Sequence, residues 1–198
     1  MKNKILIIIL IIFGSVLAVL AGIYFTKQNR TPLDSSNQTN IEQSQNKIIT
    51  DDFFINLPVG WKQTAPAIGT SVMAIDTNEI VADPAAQKIN FKSYFAVSYD
   101  TLQGKKLDDY LQTVKNGLSQ TISNVVFTNE QDLLINDRPA HAMEAELTQQ
   151  GVNFKILLIV ITGQEEDVWV MSFNTTKNGW NGYKETFYDI ADSFSLKK

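Results

Sequence analysis

From Ile5 through Thr26 the chain carries no charged residue, and nearly every position is Ile, Leu, Val, Ala or Phe. At ~1.5 Å per residue such a helix is ~33 Å long, enough to cross a hydrocarbon core of ~30 Å. A helix apolar on all sides has no wet face to offer a small water-soluble fold. The run, which includes Ile5, Phe13, Tyr24 and Phe25, therefore reads as a single transmembrane helix. Lys2 and Lys4 bound it on one side, Lys27 and Arg30 on the other. Tyr24 and Phe25 fall where aromatic side chains favour the headgroup region.

A cleaved signal peptide is the competing reading. Val19-Leu20-Ala21 has the small-residue pattern of a cleavage site, and cutting near Ala21 would leave a secreted protein. The apolar run outlasts the ~7–15 residues of an h-region, and Ile23-Tyr24-Phe25 carries it past the site, which favours an uncleaved anchor. A short head before the helix is easily left in the cytoplasm. The expected arrangement is an N-terminus inside and everything after the helix outside the cytoplasm. The chain has no cysteine, so a lipidated cysteine, a disulfide and a thiol nucleophile are all excluded.

Residues 27–48, rich in Gln, Asn, Ser and Thr, leave almost nothing apolar to bury and are expected to be a disordered polar linker between the anchor (1–26) and a soluble domain (49–198). The charge is divided unevenly along the chain. Residues 49–198 hold 12 Lys and Arg against 19 Asp and Glu, a net charge of −7. Such a domain is a poor partner for nucleic acid, whose phosphates need clustered cations, and it is expected to stand off from an anionic lipid surface.

Within the soluble part, Phe53–Leu57, Val72–Ile75 and the alternating stretch around Ile89–Tyr99 read as strands. Leu107, Tyr110, Leu111, Val114, Leu118 and Ile122 then recur at helical spacing, with Asp108 and Asp109 in the first turn, where carboxylates complement the helix dipole. Val125–Ile135 and Ala140–Leu147 are strands parted by an Asp137-Arg138-Pro139 turn. Ile156–Ile161 has no polar interruption, and Val168–Phe173 is similar, so both are expected to be buried on two faces. Tyr183, Phe187, Ile190 and Phe194 mark a final helix. The pattern is α+β: a mostly antiparallel sheet with helices packed against it.

Phe54-Ile55-Asn56-Leu57-Pro58-Val59-Gly60-Trp61-Lys62 resembles the strand–Pro–x–Gly–Trp opening of the PsbP-like domains, and the closing helix with Ile190-Ala191-Asp192-Ser193-Phe194 resembles their ending. The resemblance spans about residues 50–196. It implies an α/β/α sandwich and a place among the exported or membrane-anchored bacterial members. That group includes a photosystem II extrinsic subunit and a nuclear-import factor that binds a small GTPase, and most of its members bind or assemble without catalysing a reaction.

The residues themselves offer little chemistry. His141 is the only histidine, which with no cysteine leaves no usual zinc or redox-metal set, and no metal, cofactor or catalytic residue is assigned. No nucleophile elbow or phosphate-binding glycine loop is present. Glu165-Glu166-Asp167 reads as a solvated turn, and Glu144 with Glu146 as one exposed strand face without a partner to shift a pKa. Trp169 reads as core. Lys177, Asn178, Trp180 and Asn181 lie in a segment where no periodicity demands burial, and they are the expected contact loop. The functional expectation is a membrane-tethered, extracytoplasmic, non-catalytic module that meets a protein partner of the envelope. A small-molecule or lipid carrier is the alternative, and a carboxylate-based hydrolase stands third.

Overall fold

The computed structural model describes residues 46–197. The apolar segment Ile5–Thr26 and nearly all of the polar linker lie outside the described residues. Among the described residues no helix is long and apolar enough to cross a membrane.

Among the described residues ten strands and three α-helices follow in order: β1 (Lys47–Ile49), β2 (Phe53–Asn56), β3 (Trp61–Thr64), β4 (Val72–Asp76), α1 (Pro84–Lys88), β5 (Tyr94–Thr101), α2 (Leu107–Thr121), β6 (Val126–Ile135), β7 (Arg138–Gln149), β8 (Val152–Thr162), β9 (Asp167–Thr176), α3 (Trp180–Asp192) and β10 (Ser195–Leu196). Seven strands form one sheet in the order β3-β4-β5-β9-β8-β7-β6, every neighbouring pair antiparallel. A second, three-stranded sheet, β1-β2-β10, joins the two ends of the domain.

Two cores lie on opposite faces of the large sheet. On one, Tyr110, Leu111, Val114 and Leu118 of α2 meet Met143, Ile156, Leu158 and Val160. On the other, Phe187 and Ile190 of α3, with Phe53 and Ile55 of the small sheet, meet Leu157, Ile159, Ile161 and Phe173. The uninterrupted apolar run of β8 thus divides by parity between two cores, as its lack of polar residues predicts. Helices cover both faces of an antiparallel sheet, in the layered arrangement expected.

Three details differ from the sequence expectations. Lys47 and Ile48, assigned to the linker, belong to β1, and Ile48 is buried against the second core. Residues 89–93 are not strand. Asp83 accepts from the backbone N–H groups of Ala85 and Ala86 and starts α1, with Pro84 in its first turn, so β5 begins only at Tyr94. Finally, Trp180 is not in a loop. Lys177–Gly179 form a 3-10 turn that runs straight into α3, and Trp180 is its first residue.

Candidate functional site

The second core's apolar stripe ends where α3 begins. In β7 the residues on that face run Ala140, Ala142, Glu144, Glu146; in β8 they run Ile161, Ile159, Leu157, Lys155. Pairing places Glu146 directly opposite Lys155, so charged residues gather at the end of the sheet covered by the first turns of α3. From above, α3 contributes Trp180 and, one turn on, Lys184.

The result is a compact ionic cluster. Glu144 is only 3 % exposed. Its carboxylate accepts from Lys155 at 2.9 Å and Lys184 at 3.1 Å, and Asn129 lies within 3.4 Å. Glu146 takes Lys177 at 2.5 Å and stands 3.9 Å from Lys155. The Lys155 ammonium lies over the Trp180 ring, 4.8 Å from its centre, and Lys184 lies 6.0 Å from the same ring. Three ammonium groups against two carboxylates leave one excess positive charge in an acidic domain. Burial, the largest single influence on Glu144, opposes its ionisation, yet the hydrogen bonds and charges of Lys155 and Lys184 outweigh it and hold the carboxyl below its ordinary range. Glu144 is thus a counter-ion, poorly suited to giving up a proton at neutral pH.

The approach to α3 is locally enforced. The Thr176 hydroxyl accepts from the Gly179 N–H at 3.1 Å. A Cβ at Gly179 would lie 2.8 Å from the Thr175 hydroxyl, so the backbone passes where only glycine fits.

The structure therefore brings together two groups that the sequence presents separately: Lys177 and Trp180 of the expected contact loop, and Glu144 with Glu146. It does not leave Trp180 available as expected. The ring is 6 % exposed and packs on Phe187 at 6.2 Å, because the helix turns it onto the sheet. Asn178 and Asn181 are exposed, and Lys177 and Lys184 are about half exposed, so these four are the accessible part. Glu144 is buried and paired, where an exposed face was expected. Lys155 and Lys184 join the site only through strand register and helix phase, neither of which shows along the sequence.

The other two tryptophans are core residues. Trp61 packs edge-on against Tyr183 and Phe187, and Trp169 lies between Phe53 and Tyr99 in the second core. Beside Trp61, burial above all pushes the Tyr183 hydroxyl's pKa well up, helped by its 2.7 Å hydrogen bond to Asp76. Nearby, Glu79 accepts from both the backbone N–H and the hydroxyl of Ser93, and that hydroxyl also lies 2.8 Å from the Thr175 hydroxyl.

On the opposite face, His141 faces Asp132 through Nδ1 at 2.7 Å and Glu130 through Nε2 at 3.5 Å, while Lys115 holds Glu130 at 3.0 Å. Its two nitrogens point to different carboxylates, so these groups do not converge on one ion. Among the described residues no group of three or more His, Cys, Asp or Glu side chains is arranged to hold a metal. Glu165 and Glu166 extend into solvent, and Asp167 accepts from the Tyr99 hydroxyl at 2.7 Å. A groove of about 700 Å³ between the start of α2 and the β6–β7 hairpin, lined by Leu107, Asp132, Leu134 and Pro139, is wide open to solvent.

The solved structures show the fold. The domain has the fold shared by PsbP and Mog1. Cyanobacterial PsbP from Synechocystis sp. PCC 6803 is similar over 84 % of this chain and all of its own, at 16 % identity and a TM-score of 0.58. LpqN of Mycobacterium tuberculosis, involved in cell envelope biogenesis, is similar over 74 % of this chain and 83 % of its own, at 12 % identity and 0.53. The Saccharomyces cerevisiae Ran-binding protein Mog1p is similar over 76 % and 94 %, at 11 % identity and 0.51. No family model matches the sequence, and no curated protein matches it significantly.

Proposed function

We propose that this chain is a membrane-tethered binding or assembly module, with its domain outside the cytoplasm, that contacts a protein partner through the start of α3. The observation that carries the reading is the ionic cluster. Buried Glu144 fixes Lys155 and Lys184, and Lys177, Asn178, Asn181 and Lys184 then present polar and cationic groups on a rigid helix start. Pre-ordered side chains lose little entropy on binding, and a cationic spot on an acidic domain favours a partner with a complementary acidic patch. The fold supports the same reading, since the similar structures include a Ran-binding protein and a protein of cell envelope biogenesis.

The test is crosslinking and capture of the full chain from native membranes, comparing wild type with Lys177→Glu and Asn181→Arg. Both positions are exposed. A defined partner recovered by wild type and lost from both variants is the expected outcome. Recovery unchanged in both would remove the α3 start as the contact.

A further inference from the structure

The described chain enters the domain at one end of the large sheet. Asn46 donates through its side chain to the Trp61 carbonyl at 2.5 Å, and its own carbonyl accepts from the Leu57 N–H at 2.6 Å. The Pro58–Gly60 turn between these contacts is fastened from the other side by Thr77, whose N–H and hydroxyl donate to the Gly60 carbonyl at 3.0 and 2.6 Å. A Cβ at Gly60, whose φ is +91°, would meet Asn78 at 2.6 Å, so the two loops are in close contact. The second loop continues through Glu79, tied to Lys92 and Ser93.

From these two fastened loops project Val59 and Ile80, 98 % and 94 % exposed. A single exposed aliphatic residue is ordinary. Two near full exposure, on adjoining loops held by hydrogen bonds, at the end where the chain leads back toward a 22-residue uncharged apolar run, are a different matter. Charge follows the same axis. Lys47, Lys62 and Lys88 are exposed near this end, whereas Asp76 and Glu79 are only partly exposed and engaged by Tyr183 and Ser93. At the opposite end Asp108, Asp109, Asp137, Glu165 and Glu166 are exposed, with Lys105 and Lys106 offsetting them only in part. The net negative charge that predicts a domain standing off from lipid is thus concentrated away from the tether.

We infer that the Asn46 end rests on the bilayer, with Val59 and Ile80 entering the headgroup layer and Lys62 and Lys88 facing lipid phosphates, while the acidic end points away. This rests on the tethered reading above. Two aliphatic side chains and a few lysines give weak binding on their own; a covalent tether makes such weak contact sufficient by keeping the local concentration high.

The absence of native cysteine allows a clean test. Val59→Cys, Ile80→Cys, Asp109→Cys and Glu166→Cys are each labelled with an environment-sensitive fluorophore in the full chain. Each is reconstituted in phosphatidylcholine nanodiscs with about a quarter phosphatidylglycerol, containing spin-labelled lipid as quencher. Quenching at positions 59 and 80 about two-fold or more above that at 109 and 166 is expected. Equal quenching at all four positions, or stronger quenching at 109 and 166, overturns the orientation. Alkaline carbonate extraction of the same full-length protein separates the two readings. A chain retained in the bilayer with uniform quenching loses only the orientation, whereas a chain that is extracted loses the tether and the orientation with it.

Discussion

Lys155 connects two layers of the domain: its ammonium lies 2.9 Å from the buried Glu144 carboxylate and 4.8 Å from the centre of the Trp180 ring. One side chain of the sheet thereby fixes both a buried acid and the first residue of α3. Replacing it with an apolar residue of similar length leaves Glu144 with Lys184, itself about half exposed, as its one remaining ammonium. Lys155→Met is expected to cost about 2–4 kcal/mol in urea unfolding at neutral pH. Lys184→Met should cost less than about 1 kcal/mol, because that lysine is well hydrated. The double variant Glu144→Gln/Lys155→Met should lose less than the sum of its two single changes.

The stability of the domain should respond to pH through two carboxyls with opposite signs. Glu144 has its folded pKa below its unfolded value, so its contribution is complete above the unfolded value and is lost as pH falls through the folded one. Glu79 is shifted upward, chiefly by burial, so its ionisation costs the folded state stability as pH rises through the unfolded value, a cost fully present above the folded one. Thermal melts from about pH 3 to pH 7 should therefore show Glu144→Gln falling behind wild type as pH rises. Glu79→Gln should gain on wild type over the same interval. Parallel curves for all three proteins would show that neither carboxyl behaves in this way.

The β6–β7 hairpin turns through Asn136 and Asp137, with φ of +49° and +63°, the left-handed backbone a two-residue turn of this kind requires. Asn136 also donates to the carbonyls of Phe194 at 2.6 Å and Asp192 at 3.1 Å. Asn136→Ala should cost about 2 kcal/mol, combining lost hydrogen bonds with backbone strain. Asp137→Gly relieves strain without removing a contact to the C-terminal segment, and a gain of about 0.5 kcal/mol is expected by chemical denaturation.

Trp180→Ala removes a ring buried against Phe187 and under two lysines, and about 3–5 kcal/mol should be lost. Asn178→Ala, two residues earlier and exposed, should unfold within about 0.5 kcal/mol of wild type. Differential scanning calorimetry distinguishes the two, and the contrast tells a packing residue from a surface one within a single short segment.

The sequence made the periodic elements legible because their periodicity is what burial selects. The stripe Leu107–Ile122 is the buried face of α2, and the unbroken Ile156–Ile161 is a strand with a core on each side. The Pro58-Val59-Gly60-Trp61 turn is legible for a different reason: Gly60 adopts a φ that other residues resist. The candidate site was half legible. Lys177, Asn178 and Asn181 are legible as polar residues between elements, but the burial of Trp180 is not, because one aromatic residue before a helix stripe has no phase until the helix start is known. The partners of Glu144 were hidden for a deeper reason. Lys155 meets it only through the register of β7 on β8, and Lys184 only through the docking angle of α3, and neither distance is written along the chain.

The small sheet has a mechanical consequence. Lys47 pairs with Asn56 and Ile49 with Phe54, while β10 holds the other side of β2. A pull on the N-terminal side of the domain meets Asn46 first, whose side chain and carbonyl bind Trp61 and Leu57, and then the three residues of β1 paired with β2. Because Trp61 begins β3, that first contact hands part of the load straight to the seven-stranded sheet, and the small sheet takes the rest through β2 and β10.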